Sequence, residues 1–190
     1  MDRANAQNPV KDWNFVFIPY CTGDVHAGFN EASKADGAGK NNRMVGYANV
    51  RLAMKRLIGT FTDLDRVLLT GTSAGGFGAA ANYFQVQRMF GDTPVDMLDD
   101  SGPPMTSQYV PPCLQEIMND AWDLDRTILA DCGSACSNRT DFLMSLVGEV
   151  GTRAEKKGAS AGLIESTEDS TIRLFYSFAG PKNDCKVSGF

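Results

Sequence analysis

A strand-like run, Arg66-Val67-Leu68-Leu69-Thr70, feeds directly into Gly71-Thr72-Ser73-Ala74-Gly75-Gly76, and an alanine-rich stretch of helical character follows. A GxSxG segment between a strand and a helix is a tight corner. Small residues on both sides let the backbone approach itself and push the central hydroxyl outward. The corner marks Ser73 as a candidate nucleophile and predicts a helix from Ala74 to Phe90. An inert serine in a glycine-rich turn is the plain alternative, and the flanking strand and helix argue against it. A dinucleotide-binding loop is the other competitor, but Gly71, Gly75 and Gly78 do not fit GxGxxG, and the loop follows a central strand rather than the first.

Hydrophobic runs read against turn punctuation give an alternating pattern along the chain. Residues 14 to 19 read as a buried strand ending at a proline, followed by a long polar loop from Cys21 to Asn42. Met44 to Ile58 carries apolar residues at helical spacing, with Gly59 at its C-terminal end. After the corner and its helix, Val95 to Leu98 reads as a short strand running into Asp99-Asp100-Ser101-Gly102-Pro103-Pro104, where paired prolines block a helix. Residues 113 to 122 and 140 to 156 read as helices, Leu163-Ile164 as the end of a strand, and Ser166 to Ser170 as the cap of a last helix through Tyr176. Strands separated by helices predict an α/β fold with a mostly parallel sheet. No linker or repeat divides the sequence, so residues 1–190 are expected to form a single domain.

Composition narrows the function classes. With 43% hydrophobic and 22% charged residues the chain is globular in type, and no apolar run approaches the roughly 18 residues that span a bilayer. A net charge of -5 with scattered Lys and Arg offers phosphate backbones no basic surface, which argues against nucleic acid as a partner. The first nine residues show neither a basic region with an apolar core nor a small-residue cleavage site, so no secretory signal is read there. Five cysteines, Cys21, Cys113, Cys132, Cys136 and Cys185, nevertheless favour a disulfide framework and an oxidising compartment. Zinc would need a second cysteine pair and histidines, so no metal or other cofactor is expected. The odd count leaves one cysteine without a partner, and the connectivity stays open. The Asn138-Arg139-Thr140 sequon suits a surface loop.

A serine nucleophile needs a base and an acid. Two aspartates are placed to orient a histidine: Asp100 directly after the strand that follows the corner, and Asp169 after the next strand. Asp169 is preferred, because Asp100 has an ordinary use as an acceptor in its own Ser-Gly-Pro-Pro turn. His26 is the chain's one histidine. It precedes Ser73, whereas α/β-hydrolases place the base after nucleophile and acid, so His26 reads as a pocket or loop residue rather than the base.

Three separated motifs in order carry a more specific resemblance. Phe15-Val16-Phe17-Ile18-Pro19-Tyr20-Cys21-Thr22-Gly23-Asp24-Val25-His26-Ala27-Gly28, then Gly71 to Gly76, then Asp100-Ser101-Gly102 resemble the pectin acetylesterase and Notum family of serine carboxylesterases. The similarity extends from about Asn8 to the end, through Tyr47 to Asn49 and the Cys132 and Cys136 pair. Membership implies an α/β-hydrolase fold, here incomplete, and removal of acyl groups from an ester such as an acetylated polysaccharide or another acylated molecule. It implies Ser73 as nucleophile, Ala74 as an oxyanion-hole amide and Asp169 as the triad acid, with His26, Asp24 and Gly75 as possible pocket residues. It also implies a catalytic histidine further towards the C-terminus, a glycine-rich oxyanion loop ahead of the Pro19-Tyr20-Cys21 motif, a cysteine partner for Cys21 in that upstream part, and a secreted or extracytoplasmic location. The expectation for these 190 residues alone is therefore little or no turnover. A non-catalytic module that binds carbohydrate or acyl groups is the alternative, and oligomeric state is not specified.

Overall fold

The computed structural model describes residues 2–34, 42–177 and 185. Three strands, β3 (Val67–Thr72), β4 (Val95–Asp100) and β5 (Ala161–Ile164), form a parallel sheet in that order. A separate antiparallel pair, β1 (Asn30–Ser33) and β2 (Asn42–Met44), precedes it. The helices are α1 (Gly46–Leu57), α2 (Ala74–Phe90), α3 (Pro112–Trp122), α4 (Ile128–Cys132), α5 (Leu143–Lys156) and α6 (Ser170–Ser177). The α/β expectation with a parallel sheet holds.

Alternation along β4 shows how the sheet is covered. Val95, Met97 and Asp99 are buried while Asp96, Leu98 and Asp100 are partly exposed, the period-two signature of one packed face. Val95 and Met97 join a core built from Tyr47, Val50 and Met54 of α1, Ala79, Tyr83, Phe84 and Val86 of α2, and Leu146, Val150 and Ala154 of α5. Small residues line the first turns of α2, which lets its backbone settle close to the strands. Its polar side chains tie neighbouring loops: Asn82 donates to the His26 carbonyl at 2.9 Å, Gln85 to that of Tyr47 at 3.2 Å, and Gln87 to those of Gly91 and Thr93.

Several predicted elements end elsewhere. The buried strand expected over residues 14 to 19 is not formed: the segment is in no ladder, and Phe15 and Phe17 are 59% and 73% exposed. Apolar β-branched and aromatic residues favour a strand only where a neighbouring backbone offers hydrogen bonds. Among the described residues none does so here, although Ile18 still packs against the core. The long loop after Cys21 contains β1 and β2; its residues 35 to 41 lie outside the described part. Val95 to Leu98 extends to Asp100, and the stretch between the two central helices contains α4 and two short 3-10 turns.

The cysteines form two bridges, Cys132–Cys136 across four positions and Cys113–Cys185 across 72. Cys21 is exposed and outside both. No helix among the described residues is long and apolar enough to cross a membrane.

Candidate active site

Register in the parallel sheet sets the site. Thr72 lies beside Asp100, and Asp100 beside Ile164, so the three strands end level with one another. Backbone bonds continue the ladder one residue further: Ser73 N–H donates to the Asp100 carbonyl at 2.8 Å, and Ser101 N–H to that of Ile164 at 2.8 Å. Ser73 and Ser101 both take left-handed φ, 57° and 62°. For a serine that conformation costs about 1–3 kcal/mol and persists only where surrounding bonds impose it. At Ser73 the imposing bonds are its own N–H and the donation of the Gly76 and Phe77 amides to its carbonyl, at 2.8 and 3.2 Å.

The glycines of the corner are not equivalent. A Cβ on Gly71 would collide with the Gly75 carbonyl, and one on Gly76 with Asp99 Oδ1 and the Asp100 carbonyl oxygen. A Cβ on Gly75 would meet nothing within 4 Å. Close packing thus dictates glycine at 71 and 76, whereas the surface of Gly75 is open. The amides of Ala74 and Gly75, the first two of α2, have no acceptor among the described residues, and no side chain caps this helix. Two unbonded N–H groups at a helix N-terminus next to a partly exposed hydroxyl form a natural cradle for negative charge.

The aspartates divide their work. Asp100 has both oxygens engaged, Oδ2 by the Thr72 hydroxyl at 3.2 Å and Oδ1 by that of Ser101 at 2.9 Å. Asp169 caps α6: its Oδ1 accepts the Ile172 amide at 2.8 Å, and Oδ2 has no partner among the described residues. Helix α6 leans on α2 through an edge-on contact of Tyr176 and Phe77, and the Tyr176 hydroxyl donates to the Pro103 carbonyl at 2.5 Å. Strands β3 and β5 run parallel, so α2 and α6, which follow them, begin at the same end of the sheet.

The motif around His26 is organised from below. Asp24 is fully buried and accepts four hydrogen bonds, from the Thr22 hydroxyl and from the amides of His26, Gly28 and Gly46. Its carboxylate is consumed inside the loop, so it shapes the surroundings of the site rather than facing them. His26, also at left-handed φ, stacks its ring 4.8 Å from that of Tyr20 and lies against Gly78. It makes no hydrogen bond to Ser73 or Asp169. Burial lowers its pKa, against the opposing pull of Asp24.

Two acids belong to this region that sequence reasoning missed. Asp99 is 2% exposed and its Oδ1 has no hydrogen-bond partner. Burial pushes its pKa up to about 7; the Gly102 backbone pulls the other way, and Glu165 and Asp100 add to the rise. Glu165, directly after β5, accepts the Ser166 amide on Oε1 at 2.8 Å, while its Oε2 is buried without a partner. Burial, then Asp99 and Glu165, raise the Tyr176 pKa. The period of β4 carried the missing signal, since Asp99 falls in line with Val95 and Met97 on the packed face.

Comparison with known proteins bears on this geometry. The family model for pectinacetylesterase matches residues 1–142, a stretch that contains Ser73 and Asp100 and stops short of Asp169. Palmitoleoyl-protein carboxylesterase notum1 of Xenopus laevis is 34% identical over 92 residues, 48% of this chain and 16% of the relative. Its counterpart notum1' from the same frog is 34% identical over 77 residues, 40% and 15%. The crystal structure of the Wnt deacylase Notum from Drosophila superposes with a TM-score of 0.61 at 19% identity, covering 86% of this chain and 49% of that one. The fold is thus that of an α/β-hydrolase, and the match takes in under a fifth of the curated relatives and about half of the solved structure.

Proposed function

The chain belongs to the pectinacetylesterase family, and from that premise we propose that it is a carboxylic-ester hydrolase with Ser73 as its nucleophile. One observation supports the assignment above the others: Ser73 stands in a strained left-handed conformation beside the amides of Ala74 and Gly75, which have no acceptor among the described residues. Its Oγ attacks the acyl carbon, and the tetrahedral oxyanion forms against the Ala74 amide, with Gly75 leaving room for the acyl group. Asp169 holds the imidazole that takes the serine proton, using the oxygen left free by the α6 cap. Collapse of the intermediate releases the alcohol, and water then frees the acid. The substrate is an acyl ester on a carbohydrate or another acylated molecule.

His26 does not serve as the base in this reading, because its ring is held against Gly78 and Tyr20. The 190 residues alone are accordingly expected to turn over ester substrates weakly or not at all, since removal of a triad member costs several orders of magnitude. That same observation favours a second reading, a non-catalytic module that binds carbohydrate or acyl groups. A fluorophosphonate probe with peptide mapping separates the two. An adduct on Ser73, absent in Ser73→Ala, supports the esterase reading; glycan binding with Ser73 unmodified at millimolar probe supports the module.

A further inference from the structure

We propose that Asp99 is a positioning residue: its carboxyl group, wedged between Gly76 and Gly102, holds the corner at Ser73 against the turn that follows β4, and does so in its neutral form. The proposal builds on the reading of Ser73 as nucleophile. Asp99 lies on the packed face of β4, directly beneath the first turn of α2. A Cβ on either Gly76 or Gly102 would collide with its Oδ1, so this oxygen rests against two bare Cα positions, one at the corner and one in the turn after β4. Among the described residues no hydroxyl, amide or cation bonds to Oδ1. An ionised carboxylate so placed would have only the Gly102 backbone to offset its charge and would be shielded from water, so ionisation is disfavoured.

The titratable groups around it make ionisation worse. Asp100 follows it on β4, Glu165 approaches from the end of β5, and Tyr176 faces it from α6; none is cationic, and α2 presents glycine. A carboxyl group with acidic neighbours and no counter-charge keeps its proton well above the usual carboxylate range, in line with the rise to about 7. The neutral group fills the space between the two glycines with a smaller demand for donors than the carboxylate would make. Loss of the proton puts a charge there that must recruit water or part the corner from the turn, and the bond from Ser73 N–H to the Asp100 carbonyl crosses that same junction.

The sign of the linkage follows. The folded carboxyl binds its proton more tightly than the unfolded one, whose value is near 3.8. Its contribution to stability is therefore full below about pH 4 and is lost as pH rises towards 7.

Proton-nitrogen NMR of the intact 190-residue protein from pH 5 to pH 9 tests this, followed at the amides of Ser73, Gly76, Phe77 and Gly102, with the Asp99 carboxyl carbon read in parallel. The expected result is that these amides and the carboxyl move together with a midpoint above pH 6. The isosteric Asp99→Asn variant should abolish that movement, and Glu165→Gln should lower the midpoint. An Asp99 carboxyl that titrates below pH 5, or amide shifts unchanged in Asp99→Asn, would overturn the proposal. Fluorophosphonate labelling is a separate arm: its failure at Ser73 counts against the esterase reading while the NMR result still decides the role of Asp99.

Discussion

The ring of Tyr176 meets that of Phe77 edge-on, with centroids 6.5 Å apart, so α6, capped by Asp169, is braced on α2, which follows Ser73. The Tyr176 hydroxyl secures the brace on the Pro103 carbonyl. Tyr176→Phe keeps the ring contact and leaves that carbonyl without its donor, a loss of about 1 kcal/mol. Calorimetry should show a drop in Tm of roughly 2–4 °C, the shift that 1 kcal/mol makes in a domain of this size.

The corner glycines give opposite outcomes. Gly71→Ala forces its methyl group into the Gly75 carbonyl and should destabilise by more than about 2 kcal/mol. Gly75→Ala meets open space in a helix and should be neutral or stabilising by up to about 1 kcal/mol. Urea midpoints of the two variants check the contrast; equal losses would mean that the corner is not packed as described.

Ser73 itself is held against its preference. Ser73→Gly removes the cost of left-handed φ and should raise stability by about 1 kcal/mol while abolishing any adduct at this position. Ser73→Ala should abolish the adduct with no such gain. Thermal melts alongside intact-mass labelling measure both properties in one preparation.

Asp24 should behave as the keystone of the His26 loop. Asp24→Asn retains the shape but replaces one acceptor oxygen with a donor facing other donors, among amides and a hydroxyl that now point at the carboxylate. The expected cost is about 2–4 kcal/mol, since hydrogen bonds to charged groups are worth about 1.5–3 kcal/mol each and the site loses more than one. Circular dichroism melting gives the comparison, and a change below 0.5 kcal/mol, about the noise of a surface substitution, would contradict it.

The two bridges should differ in weight. In the chain-entropy view, closing the 72-residue span between Cys113 and Cys185 stabilises by about 4 kcal/mol, and the short Cys132–Cys136 loop by about 2 kcal/mol. Denaturation of Cys113→Ser/Cys185→Ser beside Cys132→Ser/Cys136→Ser should rank them in that order.

Sequence made the central unit readable because its signals are local. Apolar β3, the glycine corner and the alanine-rich α2 each specify their own conformation, and the predicted helix from Ala74 to Phe90 coincides with α2. Residues 14 to 19 carry an equally strong strand pattern and form none, because a strand is a property of two backbones and only one is in the sequence window. The β1 and β2 pair was hidden for the converse reason: polar residues with little intrinsic preference are paired by their surroundings. The roles of Asp24 and Asp99 depend on contacts made across the fold, from Gly46 in one case and Gly76 in the other. The period of β4 hints that Asp99 is enclosed, but no local pattern says what it will touch there.

Strand β3 delivers Ser73 to the site and has β4 as its only partner among the described residues. A row of amides and carbonyls on its other flank is thus available to any extended peptide, and unfinished margins of this kind invite pairing between molecules. Preparations of these 190 residues should accordingly lose soluble protein with rising concentration, and a companion strand laid along that flank would steady Ser73 from the side opposite β4.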